Sequence, residues 1–232
     1  MLAEPAVSDL TLPELDLAAL TLPELRLALA PAIADAAAFD GWTPAAVAYA
    51  AQAEGVDPAV AGLAFRDGAM AMIAAWIASV DQAMERELPP ASLAALPIRE
   101  RIRTLVQFRL DRIAHQQEAL RRALALMALP PNAVTTLRLG WASADAMWRL
   151  AGDTATDYNH YTKRATLAAL YASTLAVFAF DESEGHAATR AFLARRIDDV
   201  MRFEKTKHRL LHGGGERFSV TRFLGRLRYP AR

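Results

Sequence analysis

From residue 31 onward, apolar positions return every three to four residues almost without interruption, which is the spacing of one buried helix face. Glycine and proline punctuate that pattern at Gly41, residues 55–58, Pro89, Pro90, Pro97, Pro130, Pro131, Gly152 and residues 213–215. Between the breaks the spacing predicts helices near 31–39, 44–54, 58–65, 68–87, 98–128, 133–150, 154–180, 185–208 and 216–228. No alternating β-branched run of strand length occurs, so the fold class is all-α, a helical bundle.

The start of the chain reads differently. LTLPELDLAA at 10–19 is followed at once by LTLPELRLAL at 20–29, identical at eight of ten positions. Each copy contains T-x-x-E, in which threonine and glutamate satisfy each other's free backbone N–H groups at a helix start. The expected reading is a slipped duplication within a flexible leader over residues 1–30.

Residues 42–65, WTPAAVAYAAQAEGVDPAVAGLAF, have the layout of a helix-turn-helix, with a glycine-containing turn at Gly55. A DNA reader needs Arg, Lys, Asn or Gln on its second helix and further cations for phosphates. Here Arg66 is the sole basic residue across 43–69, against Glu54, Asp57 and Asp67, a balance that repels a phosphate backbone. Residues 31–66 are thus a degenerate helix-turn-helix-like element, 67–210 a helical body, and 211–232 a separate basic tail.

Composition narrows the chemistry. With 53% hydrophobic residues the 232-residue chain can fill a substantial core, and the absence of cysteine removes disulfides, thiolate metal sites and cysteine nucleophiles. The longest uncharged run, residues 165–180, falls short of the roughly 20 apolar residues of a membrane-spanning helix, so no transmembrane segment is expected. Glu4, Asp9, Glu14 and Asp16 stand where a signal or transit peptide carries basic residues, and the expected location is a bacterial cytoplasm, peripherally on the inner membrane. Net charge is zero overall, yet residues 201–232 hold nine basic against two acidic side chains, which points the tail at an anionic surface.

The densest polar stretch is TDYNHYTKRA at 156–165, where Asp157, His160, Tyr161 and Arg164 share one helix face at i, i+3, i+4 and i+7. A metal site of the carboxylate-bridged type needs a second D/E-x-x-H, and His115, His186, His208 and His212 supply none. An acid–base pair of Asp157 and His160 lacks a third catalytic group, so no catalytic residue and no cofactor are expected. Asp153 or Thr154 can cap the helix, with Thr154-x-x-Asp157 as a capping box. The residue types that remain suit plain surface and a protein-docking patch equally well.

MWRLAGDTATDYNHYTKRATLAALY at 147–171 resembles the signature M-W-x-x-A-G-D-x-x-T-D-[FY]-N-x-Y-T-[KR]-R-A of the accessory lipid-binding protein of ubiquinone biosynthesis, the ninth of that pathway's series. GWTPAAVAYAAQAEGVD at 41–57 and LPPNAVTTL at 129–137 resemble further segments of that family in the same order. The resemblance implies a TetR-like fold that has lost DNA binding, and a non-enzymatic protein that takes isoprenoid quinone intermediates and phospholipid. It implies docking to the di-iron demethoxyubiquinone hydroxylase through Met147, Trp148, Asp157, His160 and Tyr161, and a phospholipid or ligand contact at Arg164. His160 stands where well-known members carry tryptophan. A homodimer is left open, and a TetR-like ligand-responsive regulator is the alternative. An apolar cavity is expected beside the alanine-rich helix at 165–180 and the Met- and Trp-rich helix at 68–84.

In the tail, Val220, Phe223, Leu224 and Leu227 form an apolar stripe flanked by Arg217, Arg222, Arg226 and Arg228, the composition of an interfacial helix. Burying the four apolar side chains contributes at most about 6–12 kcal/mol, and each arginine near an anionic leaflet about 1 kcal/mol more. The expected contact with membrane is reversible.

Overall fold

A computed structural model describes Leu17, residues 20–154 and residues 158–212, the side chains of Tyr158 and residues 203–212 excepted. Every regular element among them is helical: α1 (Leu22–Asp40), α2 (Pro44–Ala53), α3 (Pro58–Ala64), α4 (Ala69–Glu87), α5 (Pro90–Leu93), α6 (Ile98–Arg112), α7 (Gln117–Met127), α8 (Ala133–Leu150), α9 (Tyr158–Phe178) and α10 (Ala187–His212). The all-α expectation holds. Among the described residues no single helix is long and apolar enough to cross a membrane. The tail residues Arg217, Val220, Arg222, Phe223, Leu224, Arg226, Leu227 and Arg228 lie outside the described residues.

Helix α1 begins at Leu22, inside the second repeat copy, and not at 31. The cause is visible in the sequence: the backbone N–H of Thr21 donates to the Glu24 carboxylate at 2.9 Å, the second copy's T-x-x-E acting as a helix start. Leu25 and Leu29 of that copy are buried in the core, so these residues belong to the folded body and not to a leader. The first copy lies outside the described residues, Leu17 excepted.

Helices α1–α3 form one packed unit, and α1 also lies against α4 and α7, which ties the unit to the body. The turn between α2 and α3 passes through Gly55 at φ +70°, a conformation that favours glycine. The Asp57 carboxylate then caps α3 by accepting from Ala59 N at 2.8 Å. Helix α3 leaves Val60 and Leu63 exposed where a DNA reader would carry donors.

The single helix expected over 98–128 is two helices, α6 and α7, joined by a 3-10 turn at Ala114–Gln116. No glycine or proline marks this break. Its cause is tertiary: buried Gln116 donates to Asp35 Oδ1 at 2.7 Å and to Pro31 O at 3.1 Å, and accepts from the Trp76 indole at 2.8 Å. One amide thus satisfies groups on α1 and α4, and the chain bends to place it.

Candidate functional site

The 147–164 stretch spans the end of α8, a tight turn and the start of α9. Gly152 makes the turn at φ +85°, and a Cβ there would come within 3.2 Å of Arg101 Nη1. That arginine donates to Ala151 O at 2.7 Å and also holds the carbonyls of Ala94 and Leu96. The turn brings the 4%-exposed Asp153 carboxylate against α9, where Lys163 reaches it at 2.6 Å and Arg164 at 3.1 Å.

Arg164 is itself 3% exposed and pairs with Asp145 of α8 at 2.5 Å. Its Nη1 also donates to the carbonyl of His160 at 3.2 Å. The guanidinium is thus the centre of a buried network that fastens α9 to α8. Trp148 adds a second fastening, donating to Lys163 O at 3.0 Å beneath that residue's ammonium.

The expected docking residues are therefore divided by depth. Met147 is fully buried and supports the surface from beneath, Trp148 is half-buried, and Asp157, the closing residue of the expected capping box, lies outside the described residues. Tyr161 is 61% exposed, with the half-buried His160 ring edge-on to it at 5.1 Å. Tyr161 also meets Trp141 of α8, ring centres 6.1 Å apart, a residue that the spacing of the chain does not single out. Among the described residues no three His, Asp or Glu side chains converge as a metal site.

Behind this surface is a cleft of about 600 Å³. Three helices contribute face stripes to it at i, i+3, i+4 and i+7: Ile73, Trp76, Ile77 and Val80 from α4; Leu120, Ala123, Leu124 and Met127 from α7; Ala165, Ala168, Ala169 and Ala172 from α9. The third stripe explains the space, because alanine methyls leave unfilled the volume that leucines would occupy. Helices α4 and α9 are where a cavity was expected; the shares of α6, α7 and α8 were not legible. Exposed Leu137 of α8 and exposed Ala165, Ala169 and Ala172 of α9 mark the open side. Tyr161, one turn before Ala165, stands at its rim.

The lining is mostly apolar, with polar groups at Arg109, Thr136, Ser143 and Tyr171 and on the indoles of Trp76 and Trp141. Arg109 is 1% exposed and ion-paired with Asp81. Nothing in the spacing of 98–128 signals that an arginine of this basic helix turns inward.

The COQ9 family profile matches residues 133–204, which contain α8, α9 and most of α10. The human mitochondrial ubiquinone biosynthesis protein COQ9 is 33% identical over 172 residues, covering 72% of this chain and 54% of that protein. Its rat counterpart is 34% identical over 172 residues, with coverages of 72% and 55%. The probable ubiquinone biosynthesis protein coq9 of Dictyostelium discoideum, also named as mitochondrial, is 28% identical over 174 residues, covering 72% and 57%. The chain thus spans about half the length of these relatives. A TetR transcriptional regulator from Nitrosomonas europaea superposes with a TM-score of 0.60 at 24% identity, covering 75% of this chain and 97% of that one, which establishes the TetR-like fold.

The expected bacterial cytoplasm is corrected by these matches: the relatives are named as mitochondrial proteins, in conflict with it. The acidic residues 4–16 behind that expectation lie outside the described residues. The motif at 147–171, the match over 133–204 and the identity with the human and rat proteins all make this chain similar to the COQ9 family.

Proposed function

We propose that this protein is a non-enzymatic, lipid-binding accessory protein of ubiquinone biosynthesis that accepts isoprenoid quinone intermediates in the α4–α9 cleft. The observation that carries the reading is the cleft itself: about 600 Å³, within the range of roughly 300–1,000 Å³ typical of small-molecule sites. Its apolar walls suit a prenyl tail, which gains by leaving water.

The rim residues Trp141, His160 and Tyr161 are the proposed docking surface for the di-iron demethoxyubiquinone hydroxylase, and the basic tail is the proposed reversible contact with anionic membrane. Arg164 serves here as the fastening between α8 and α9, since its donors already meet Asp145, Asp153 and the His160 carbonyl. The test is mass spectrometry of small molecules extracted from detergent-free protein purified from its native host. Recovery of an isoprenoid quinone or precursor is the expected result; protein that carries no lipid and ignores both quinone precursors and anionic vesicles would sink the reading.

The likeness to a TetR regulator favours a second reading, a ligand-responsive transcription factor. That reading requires salt-dependent DNA binding, and the acidic balance of residues 43–69 opposes it. Mobility-shift measurement at low salt separates the two.

A further inference from the structure

The cleft presents polar groups at several points, but most are already engaged. The Trp76 indole donates to Gln116 at 2.8 Å, and the Thr136 hydroxyl donates to the carbonyl of Met127 at 2.8 Å. Arg109, Ser143 and Tyr171 differ, because they come from α6, α8 and α9 and meet at one spot on the wall. Arg109 Nη2 donates to Ser143 Oγ at 3.1 Å, and its guanidinium carbon lies 4.9 Å from the centre of the Tyr171 ring. Nη1 pairs with Asp81, while Nε is buried without a hydrogen-bond partner. A guanidinium carries five N–H donors, so these contacts leave capacity for an incoming acceptor. Ser143 accepts from Arg109, and its own O–H is left to donate.

Charge decides which head group fits. Asp81 neutralises Arg109, so the cluster with its carboxylate carries no net charge. A phosphate or carboxylate seated there would add uncompensated negative charge to an apolar enclosure, which low-dielectric surroundings penalise heavily. A neutral ring bearing carbonyl or hydroxyl oxygens meets the same donors without adding charge.

Resting on the reading of the cleft as a prenyl-quinone site, we infer that Arg109 and Ser143, with the Tyr171 ring beneath the guanidinium, are its head-group anchor. They hold a neutral, oxygen-bearing ring at the deep end and select it over an anionic lipid head. The tail then runs past Leu124 and Met127 toward exposed Leu137.

The test measures binding of a short-chain ubiquinone, the matching prenyl hydrocarbon and the matching prenyl phosphate to the full chain. The quinone is expected to bind about tenfold tighter than either, the worth of one or two well-placed hydrogen bonds. Ser143→Ala should weaken the quinone severalfold and leave the hydrocarbon unchanged. Because Arg109→Leu alone strands Asp81 and endangers the fold, the neutral double variant Arg109→Leu with Asp81→Leu is measured beside it. That variant should bind quinone and hydrocarbon equally. Equal binding of the two by the unaltered protein would overturn the anchor and leave the cleft reading standing. Preference for the phosphate would overturn the neutral-head selectivity, and failure of all three probes would defeat the anchor and the cleft reading together.

Discussion

The ring of Tyr161 stands 6.1 Å from that of Trp141, so the exposed aromatic of the family motif touches a residue that lines the cleft. The proposed partner surface and the proposed ligand site therefore share a wall. Tyr161→Ala is expected to change folding stability by no more than about 0.5 kcal/mol, as for an exposed side chain. Affinity for the hydroxylase should drop about tenfold or more, as for an aromatic hot spot. Trp141→Ala is expected to weaken both partner and quinone. Calorimetric titration of each variant checks the pair; a Tyr161→Ala protein that docks normally puts the surface elsewhere.

Arg164 makes a different prediction from the one its place in the motif invites. Arg164→Met takes one cationic partner from Asp145, which keeps Arg149, and one from the 4%-exposed Asp153, which keeps Lys163. Breaking a buried pair from one side costs about 3–5 kcal/mol, and lysine cannot reproduce the two-sided fork. Urea denaturation of Arg164→Met and Arg164→Lys should show both destabilised, the methionine variant more. Unchanged midpoints would show that the network does not hold α8 to α9.

Gly140 lies in α8 on the cleft wall, and a Cβ added there meets nothing within 4 Å. Gly140→Ala should stabilise the protein by about 0.5–1 kcal/mol by removing a flexible residue from a helix interior. Gly140→Phe should place a ring in the void, keep the fold and abolish quinone uptake. A thermal melt paired with ligand extraction separates the two effects, and a Gly140→Phe protein still loaded with ligand would argue against occupancy at this wall.

Acid should act through Asp181 at the entrance to α10. Burial pushes its carboxyl up, but hydrogen bonds from Ser183 and Thr189 outweigh that and hold it well below the usual carboxylate range. A folded-state pKa below the unfolded one contributes stability that is present above about pH 4 and lost as pH falls toward the folded value. Asp181→Asn should therefore cost about 1–2 kcal/mol at neutral pH, the worth of a helix cap. The gap from the unaltered protein should narrow below about pH 4. Urea midpoints across pH 2–7 test this, and a gap that stays constant with pH contradicts it.

Much of the architecture was legible because helical spacing and proline–glycine breaks are local signals. The helix that carries the polar stretch was legible too, as far as periodicity goes: His160, Tyr161 and Arg164 all lie on α9. Depth was not legible. Nothing local says that Arg164 turns to Asp145 on another helix while Tyr161 turns outward. The break at residues 114–116 was missed for the same reason, since Gln116 bends the chain for partners 40 to 85 residues away. The start of α1 had a local signal in Thr21 and Glu24, masked by its repetition in the preceding ten residues.

Because five helices wall the cleft, an occupant would bear on the whole body at once, and unfolding would have to expel it. At a hundredfold excess over its dissociation constant a ligand adds about 2.7 kcal/mol to stability, enough to change survival against cellular proteolysis severalfold. Empty molecules would be cleared before loaded ones. The amount of carrier in the cell would then follow the supply of its cargo, with no regulator of gene expression required.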